Sequence, residues 1–176
     1  EIYSLSNNLK IRISDNKLSA SKSLIILEGN YEQNETFLLK QIVKKGWNIL
    51  DIGANFGWYS LHFSKMVGNN GNVYAFEPIN AVRDCIHHNV TADNYKLLPY
   101  GLSSKEGVVK VMWNENETGN TFISDTGNTE IEVKRLDDLN NLPKVDYIKI
   151  DAEGHELDVC RGGINYIKEH KPFVHV

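Results

Sequence analysis

The chain has 176 residues, 41% of them hydrophobic and 24% charged, with a formal net charge of −4. That balance fits one soluble domain with a sizeable core, and it lacks the basic footprint expected of a nucleic-acid binder. No run approaches the ~18–20 consecutive apolar residues of a membrane span, and no secretory leader pattern is present, so a cytoplasmic setting is expected.

A chain that opens on Glu1 reads as an excised domain or a processed fragment of a longer protein. Residues 1–32 suggest an N-terminal flap of short strands: Leu9 to Ile13 alternates in polarity, and Leu24 to Leu27 is apolar. Residues 33–176 then read as a single core. Glu35 to Lys45 has the pattern of an amphipathic helix, with Phe37, Leu38, Ile42 and Val43 on one side, Asn34 as its cap and Gly46 as its stop. A short apolar run from Trp47 to Ile52 follows, then a glycine turn and an apolar helix from about Trp58 to Val67, ended by Gly68. A second strand is expected over 73–77, a helix over 80–89 capped by Asn80, and a third strand over about 96–100.

Residues 105–135 interrupt this alternation. Val108, Val109, Val111 and Trp113 mark one strand and Ile131 and Val133 another, joined by a polar, turn-rich linker from Asn114 to Gly119. The expectation is an inserted antiparallel hairpin on the substrate side. A fourth core strand over 145–151, a helix over about 155–169 and a fifth strand from Phe173 to Val176 complete an α/β unit with a mostly parallel sheet. Cys85 and Cys160 fall at apolar-periodic helix positions and read as reduced thiols, and neither has the spacing of a zinc ligand. His87 and His88 read as surface residues. The triplets at Asn34, Asn89 and Asn116 match glycosylation sequons by chance.

The most informative segment is Asp51-Ile52-Gly53-Ala54-Asn55-Phe56-Gly57. Glycines between a buried strand and a helix let the backbone turn sharply and approach a ligand closely. The G-x-G-x-x-G of a dinucleotide site is absent, because the middle glycine is missing. The spacing D-x-G-x-x-x-G resembles motif I of class I methyltransferases, whose loop holds the amino-acid end of S-adenosylmethionine. A dinucleotide site and a plain strand–helix connection remain open at this point. Glu77, 24 positions after Gly53 and followed by Pro78, is an acid placed to accept from both hydroxyls of a ribose.

Together with Leu136-Asp137-Asp138-Leu139 and Lys149-Ile150-Asp151-Ala152-Glu153-Gly154-His155-Glu156, these motifs resemble the FkbM-type methyltransferase family, as does Gly29-Asn30-Tyr31-Glu32 upstream. The resemblance runs from about residue 28 to the end of the chain. It implies a Rossmann-like fold and S-adenosylmethionine-dependent O-methylation, with a sugar or glycan hydroxyl as acceptor and glycosyltransferases as fusion or working partners. A full class I sheet has seven strands, and the last two are not seen in this sequence. The resemblance assigns donor binding to Glu32, Asp51, Gly53, Ala54, Asn55, Gly57, Tyr59, Glu77, Pro78, Tyr100, Gly101, Leu102 and Asp151.

An alcohol must lose its proton as it takes a methyl group, which calls for a base or a metal. Asp151, Glu153 and His155 are the catalytic candidates, since they follow the fourth strand at the carboxyl end of the sheet. His155 suits a base because its ordinary pKa is near neutrality. Asp151 is the alternative, as base or metal ligand, although no metal is specifically indicated. His155 as a simple helix cap remains open. Glu156 is expected to complement the helix dipole. Competing functions are methylation of a non-carbohydrate small molecule or an amine, and a non-catalytic donor-binding domain.

Overall fold

The computed structural model describes residues 2–4, 10–12, 31–114 and 120–176. Leu24 to Leu27, Gly29, Asn30 and the sequon at Asn116 lie outside the described residues, as does most of the 1–32 flap. Within that flap two short strands, β1 (Ile2–Ser4) and β2 (Lys10–Arg12), pair antiparallel. Ile11 is fully buried in the core.

Five strands form one parallel sheet: β3 (Asn48–Ile52), β4 (Asn72–Phe76), β5 (Tyr95–Leu98), β10 (Tyr147–Ile150) and β11 (Phe173–His175). Their order is β11-β10-β3-β4-β5, with β3 at the centre. The chain runs outward from β3 in one direction and later returns to its other side as β10. The gap between β3 and β10 is therefore the topological switch point, where open α/β sheets bind ligands beyond their carboxyl ends.

The alternation of strand side chains divides the core in two. Ile49 and Tyr147 point into a cluster with Phe63, Val67, Val73 and Ile86 from the helices α2 (Trp58–Val67) and α3 (Asn80–Asn89) and from β4. Leu50, Ile52, Ile148 and Ile150 point the other way, onto Leu136, Val145 and Val159. Helix α2 has the predicted bounds, and eight of its ten residues are buried, three of them the polar Ser60, His62 and Ser64.

Several boundaries differ from the sequence reading. Helix α1 spans Gln33–Ile42 and not 35–45. Its cap is Glu32 in a left-handed conformation rather than Asn34, and Gly46 lies beyond its end, donating to the Val67 carbonyl. The expected apolar face is split: Ile42 and Val43 pack half-buried against the first core cluster, but Phe37 is 65% and Leu38 52% exposed, while Thr36 and Leu39 point inward. Asn80 is the first residue of α3, not its cap, and its amide oxygen accepts from Arg83. Strand β5 ends at Leu98, which leaves Tyr100 in the bend that follows.

The helix expected over 155–169 is two helices, α4 (Glu156–Gly162) and α5 (Ile164–His170). The break has a packing cause. A Cβ on Gly162 would overlap the Ser103 carbonyl, and one on Gly163 would press on Leu136, so the chain bends where two glycines let it close on its neighbours.

The inserted segment forms the expected antiparallel sheet from β7 (Gly107–Met112), β8 (Phe122–Ile123) and β9 (Thr129–Lys134). A further short strand, β6 (Gly101–Leu102), pairs parallel with β9 and ties this sheet to the core. Cys85 packs half-buried against the first core cluster and Cys160 against the second. Among the described residues no helix is long and apolar enough to cross a membrane.

Candidate functional site

Two loops meet at the switch point. The first leaves β3 through Gly53, whose φ is +77°, and Asn55, whose φ is +48°; it enters α2 through Gly57 at +86°. The second leaves β10 through Asp151 to His155. The missing Cβ of Gly53 is filled by protein, since a methyl there would overlap the Asp151 carbonyl oxygen. The glycine thus brings the two walls of a cleft together, and it also lines that cleft. The cleft encloses about 800 Å³ including its open mouth.

Glu77 follows β4 and is only 6% exposed. Its Oε2 accepts the Asn55 backbone N–H at 3.0 Å, and its Oε1 accepts the Ile79 N–H at 2.8 Å. Burial pushes this carboxyl up to about 7, against the opposing pull of the two N–H groups and Arg83. Each oxygen keeps lone-pair capacity beyond the bond it makes. Beside it, Asn55 Oδ1 is buried without a partner among the described residues. A buried polar atom left in this state on a cleft wall invites a polar ligand.

Ile79, Val82 and Leu102 give the cleft an apolar side, and Gly53, Pro78 and Gly101 also line it. Val111, Ile131 and Val133 of the inserted sheet close it from above. Asp151, Glu153 and His155 line its other end. The Asp151 carboxyl is 51% exposed, and its Oδ2 accepts from Lys149 Nζ at 3.1 Å. His155 Nε2 and Ser103 Oγ lie 2.9 Å apart, so a hydrogen bond already occupies that ring nitrogen. His155 occupies the cap position of α4 without making a side-chain cap bond. Glu156 instead ties down the loop before the helix: its Oε1 accepts the N–H groups of Ala152 and Gly154, each at 3.0 Å. This knot holds Glu153 at φ +49°, unusual for a residue with a Cβ.

Asp51, Glu32, Tyr59, Ala54, Gly57 and Tyr100 do not line the cleft. Asp51 is fully buried beneath it. Its Oδ2 accepts from Ser60 Oγ at 2.6 Å, and its Oδ1 lies 3.9 Å from Lys149 Nζ. Burial raises its pKa, opposed by Lys149 and Ser60. The Lys149 ammonium also sits 4.3 Å from the Tyr59 ring centroid. Glu32 hydrogen-bonds both Tyr31 and Tyr59. Tyr100 packs edge-on to Phe76 and under Lys134. Gly57 is where α3 approaches, because a Cβ would press on Ile86 and Val90.

Sequence reasoning passed over Lys149 and Ser103. Lys149 carried a signal: a lysine at an alternate position of an apolar strand, opposite Asp51 in the pairing register, requires a buried partner. Ser103 carried none, since it meets His155 only through the fold. Among the described residues, no group of three or more His, Cys, Asp or Glu side chains is placed to hold a metal ion.

Residues 51–176 match the model of the methyltransferase FkbM domain. The chain is 29% identical over 143 residues to the hexuronic acid methyltransferase AglP of Haloferax volcanii, an alignment covering 78% of this chain and 58% of that protein. It is 27% identical over 154 residues to methyltransferase sdnD of Sordaria araneosa, covering 65% and 59%. The chain therefore spans less than two thirds of the length of either relative. The crystal structure of a methyltransferase FkbM from Methylobacillus flagellatus matches with a TM-score of 0.56 at 20% identity, over 73% of this chain and 32% of that one. Fibrillarin from Aeropyrum pernix, crystallised with natively bound S-adenosyl-L-methionine, matches with a TM-score of 0.50 at 15% identity, over 99% and 68%. At those identities the two structures share the fold with this chain.

Proposed function

This chain belongs to the FkbM methyltransferase family, and from that premise we propose that it transfers a methyl group from S-adenosylmethionine to a hydroxyl of a sugar or glycan. The observation that carries the donor half is Glu77: a buried carboxylate at the end of β4, on the wall of a cleft at the switch point, with an apolar side opposite. Such a group accepts hydrogen bonds from a ribose diol. Asn55, with its buried unpartnered amide oxygen, suits the ammonium of the donor's amino-acid end. Ile79, Val82 and Leu102 offer a surface for a flat apolar base. The residues present fit this donor, which supplies a methyl group on a sulfonium.

The chain's own contribution to transfer is placement and proton handling. Holding two reactants in line can lower the barrier by several kcal/mol, up to about 7–11 in favourable cases. Asp151 presents a half-exposed carboxyl to the cleft while Lys149 anchors one of its oxygens. His155 stands next to it with one ring nitrogen already engaged by Ser103. Asp151 is therefore the better-placed group to orient an acceptor hydroxyl and take its proton, and Ser103 and His155 shape the wall beside it. The carbohydrate acceptor is supported by the relative from Haloferax volcanii, whose name specifies hexuronic acid.

Titration calorimetry with S-adenosylhomocysteine, followed by labelled methyl transfer over glycan extracts, tests this reading. Heat of binding and label in a carbohydrate fraction are expected. Heat with NAD and none with either sulfur nucleoside would overturn it.

A further inference from the structure

Lys149 is shared unequally between two carboxylates. Its ammonium lies 3.1 Å from Asp151 Oδ2 at the edge of the cleft, and 3.9 Å from Asp51 Oδ1 in the core beneath. The first contact is a hydrogen bond and the second is too long to be one. Strand pairing fixes this placement. Lys149 stands opposite Asp51 in the β10–β3 register, and Asp151 follows two residues later on the same side of the chain. The Tyr59 ring also adjoins the ammonium, with its centroid 4.3 Å away.

Asp51 carries the other side of the inequality. Its Oδ2 accepts from Ser60 Oγ, but its Oδ1 is buried and has no hydrogen-bond partner among the described residues. A buried carboxylate oxygen in that state is costly. A movement of about 1 Å by the lysine head, on its flexible four-carbon stem, would bring it into bonding range.

We propose that Lys149 is a positioning residue with two stations: it holds the Asp151 carboxylate until the acceptor's proton arrives there, and then passes to Asp51. The proposal rests on the methyl-transfer reading above, with Asp151 as the base. In that step the acceptor oxygen takes the methyl carbon as the S–C bond breaks with its electron pair left on sulfur, and Asp151 takes the hydroxyl proton. The proton cancels the charge that held Lys149. A nearly buried ammonium facing a neutral acid would be an uncompensated charge. Asp51 prevents this, because its stranded oxygen gains a partner at the moment Asp151 ceases to be one. Asp151 is half-exposed and returns its proton to solvent, and its restored charge draws the ammonium back.

Crystal structures of the whole chain test the two stations with neither reactant present. In Asp151→Ala, which removes the first station, Lys149 Nζ should move to within about 2.9 Å of Asp51 Oδ1. Asp151→Leu, similar in shape to aspartate but without polar side-chain atoms, is the second variant and should show the same shift. An ammonium that stays beyond hydrogen-bond distance of Asp51 in both would overturn the proposal. Kinetics read the second station. Asp51→Asn keeps the shape and removes the charge, and Asp51 does not line the cleft. It should lower kcat by about tenfold or more while acceptor KM and S-adenosylhomocysteine affinity stay within about twofold. An unchanged kcat, or a loss of donor affinity as large as the loss of kcat, would overturn the proposal too. S-adenosylhomocysteine binding by the unaltered chain reports separately on the methyl-donor reading. If binding is absent, that reading falls and takes the transfer step with it, whereas a failed ammonium shift with binding intact removes the two stations alone.

Discussion

Gly53 and Asp151 meet at the carboxyl ends of neighbouring strands so closely that a single methyl group on Gly53 would overlap the Asp151 carbonyl oxygen. The donor wall and the acid-bearing wall of the cleft are therefore one mechanical unit. Gly53→Ala should destabilise the fold by at least about 2 kcal/mol, combining the left-handed φ with the overlap. Gly46→Ala, also at positive φ but with open space around it, should lose about 1 kcal/mol, the backbone part alone. Urea unfolding of both variants compares them, and equal losses would mean that the two loops do not touch.

Lys149 supports the same junction from below. It is 4% exposed, with Asp151 at 3.1 Å and the fully buried Asp51 at 3.9 Å. Lys149→Met should cost about 3–5 kcal/mol, because it strands Asp51 as an uncompensated buried charge. Adding Asp51→Asn should recover part of that loss, a coupling that a double-mutant cycle reads directly. Strict additivity of the two single changes would remove Lys149 from this network.

Much of this site was legible in the sequence. The glycine loop after β3 marked the cleft, Glu77 marked its acid wall, and residues 58–67 were bounded correctly by an apolar run and a terminal glycine. The misreadings share a cause: tertiary contacts that local pattern does not encode. Phe37 and Leu38 have the spacing of a buried face, yet α1 turns Thr36 and Leu39 inward. Residues 155–169 keep helical periodicity across Gly162, but the chain bends there because Ser103 lies against it. Asp51 drew notice through its place in the motif, and its partners Ser60 and Lys149 beneath the loop come from elsewhere in the fold.

With Glu77 holding the donor's ribose as proposed, donor affinity should depend on pH. Its pKa in the folded protein is about 7, above the ordinary 4.5, so the buried carboxyl favours its protonated form. The stability this provides is complete below pH 4.5 and is lost as pH rises through 7. Ribose hydroxyls donate to the ionised form, so binding draws the pKa down. Affinity for S-adenosylhomocysteine should rise with pH by up to about tenfold per unit below pH 7 and level off above it. Glu77→Gln should flatten the curve. Calorimetry between pH 5.5 and 8.5 measures both, and a wild-type curve that falls with pH would contradict the assignment.

His62 sets the opposite acid limit. It is buried against Trp58 in α2, with Nε2 unpartnered among the described residues, and burial lowers its pKa from 6.5 to about 4 with Lys40 and Lys65 adding to the effect. The unfolded chain takes up this proton near pH 6.5, but the folded one waits until about 4. Stability attributable to His62 is therefore present above pH 6.5 and is lost as pH falls toward 4, by a few kcal/mol in all. His62→Phe should remove that part of the acid sensitivity. Urea midpoints at pH 7 and pH 5 for the two proteins check it, and parallel shifts would place the acid sensitivity elsewhere.

If the cleft between Glu77 and Asp151 O-methylates a carbohydrate, the product itself shows it. The chain is incubated with methyl-labelled S-adenosylmethionine and a glycan extract, and the product is treated with alkali before acid hydrolysis. An ether methyl on a sugar survives alkali, whereas a methyl ester does not. Alkali-stable label in a monosaccharide fraction is expected, reduced about 10²–10⁴-fold by Asp151→Asn, the range typical of losing a general base. Label that alkali removes, or stable label formed equally well by Asp151→Asn, would contradict it.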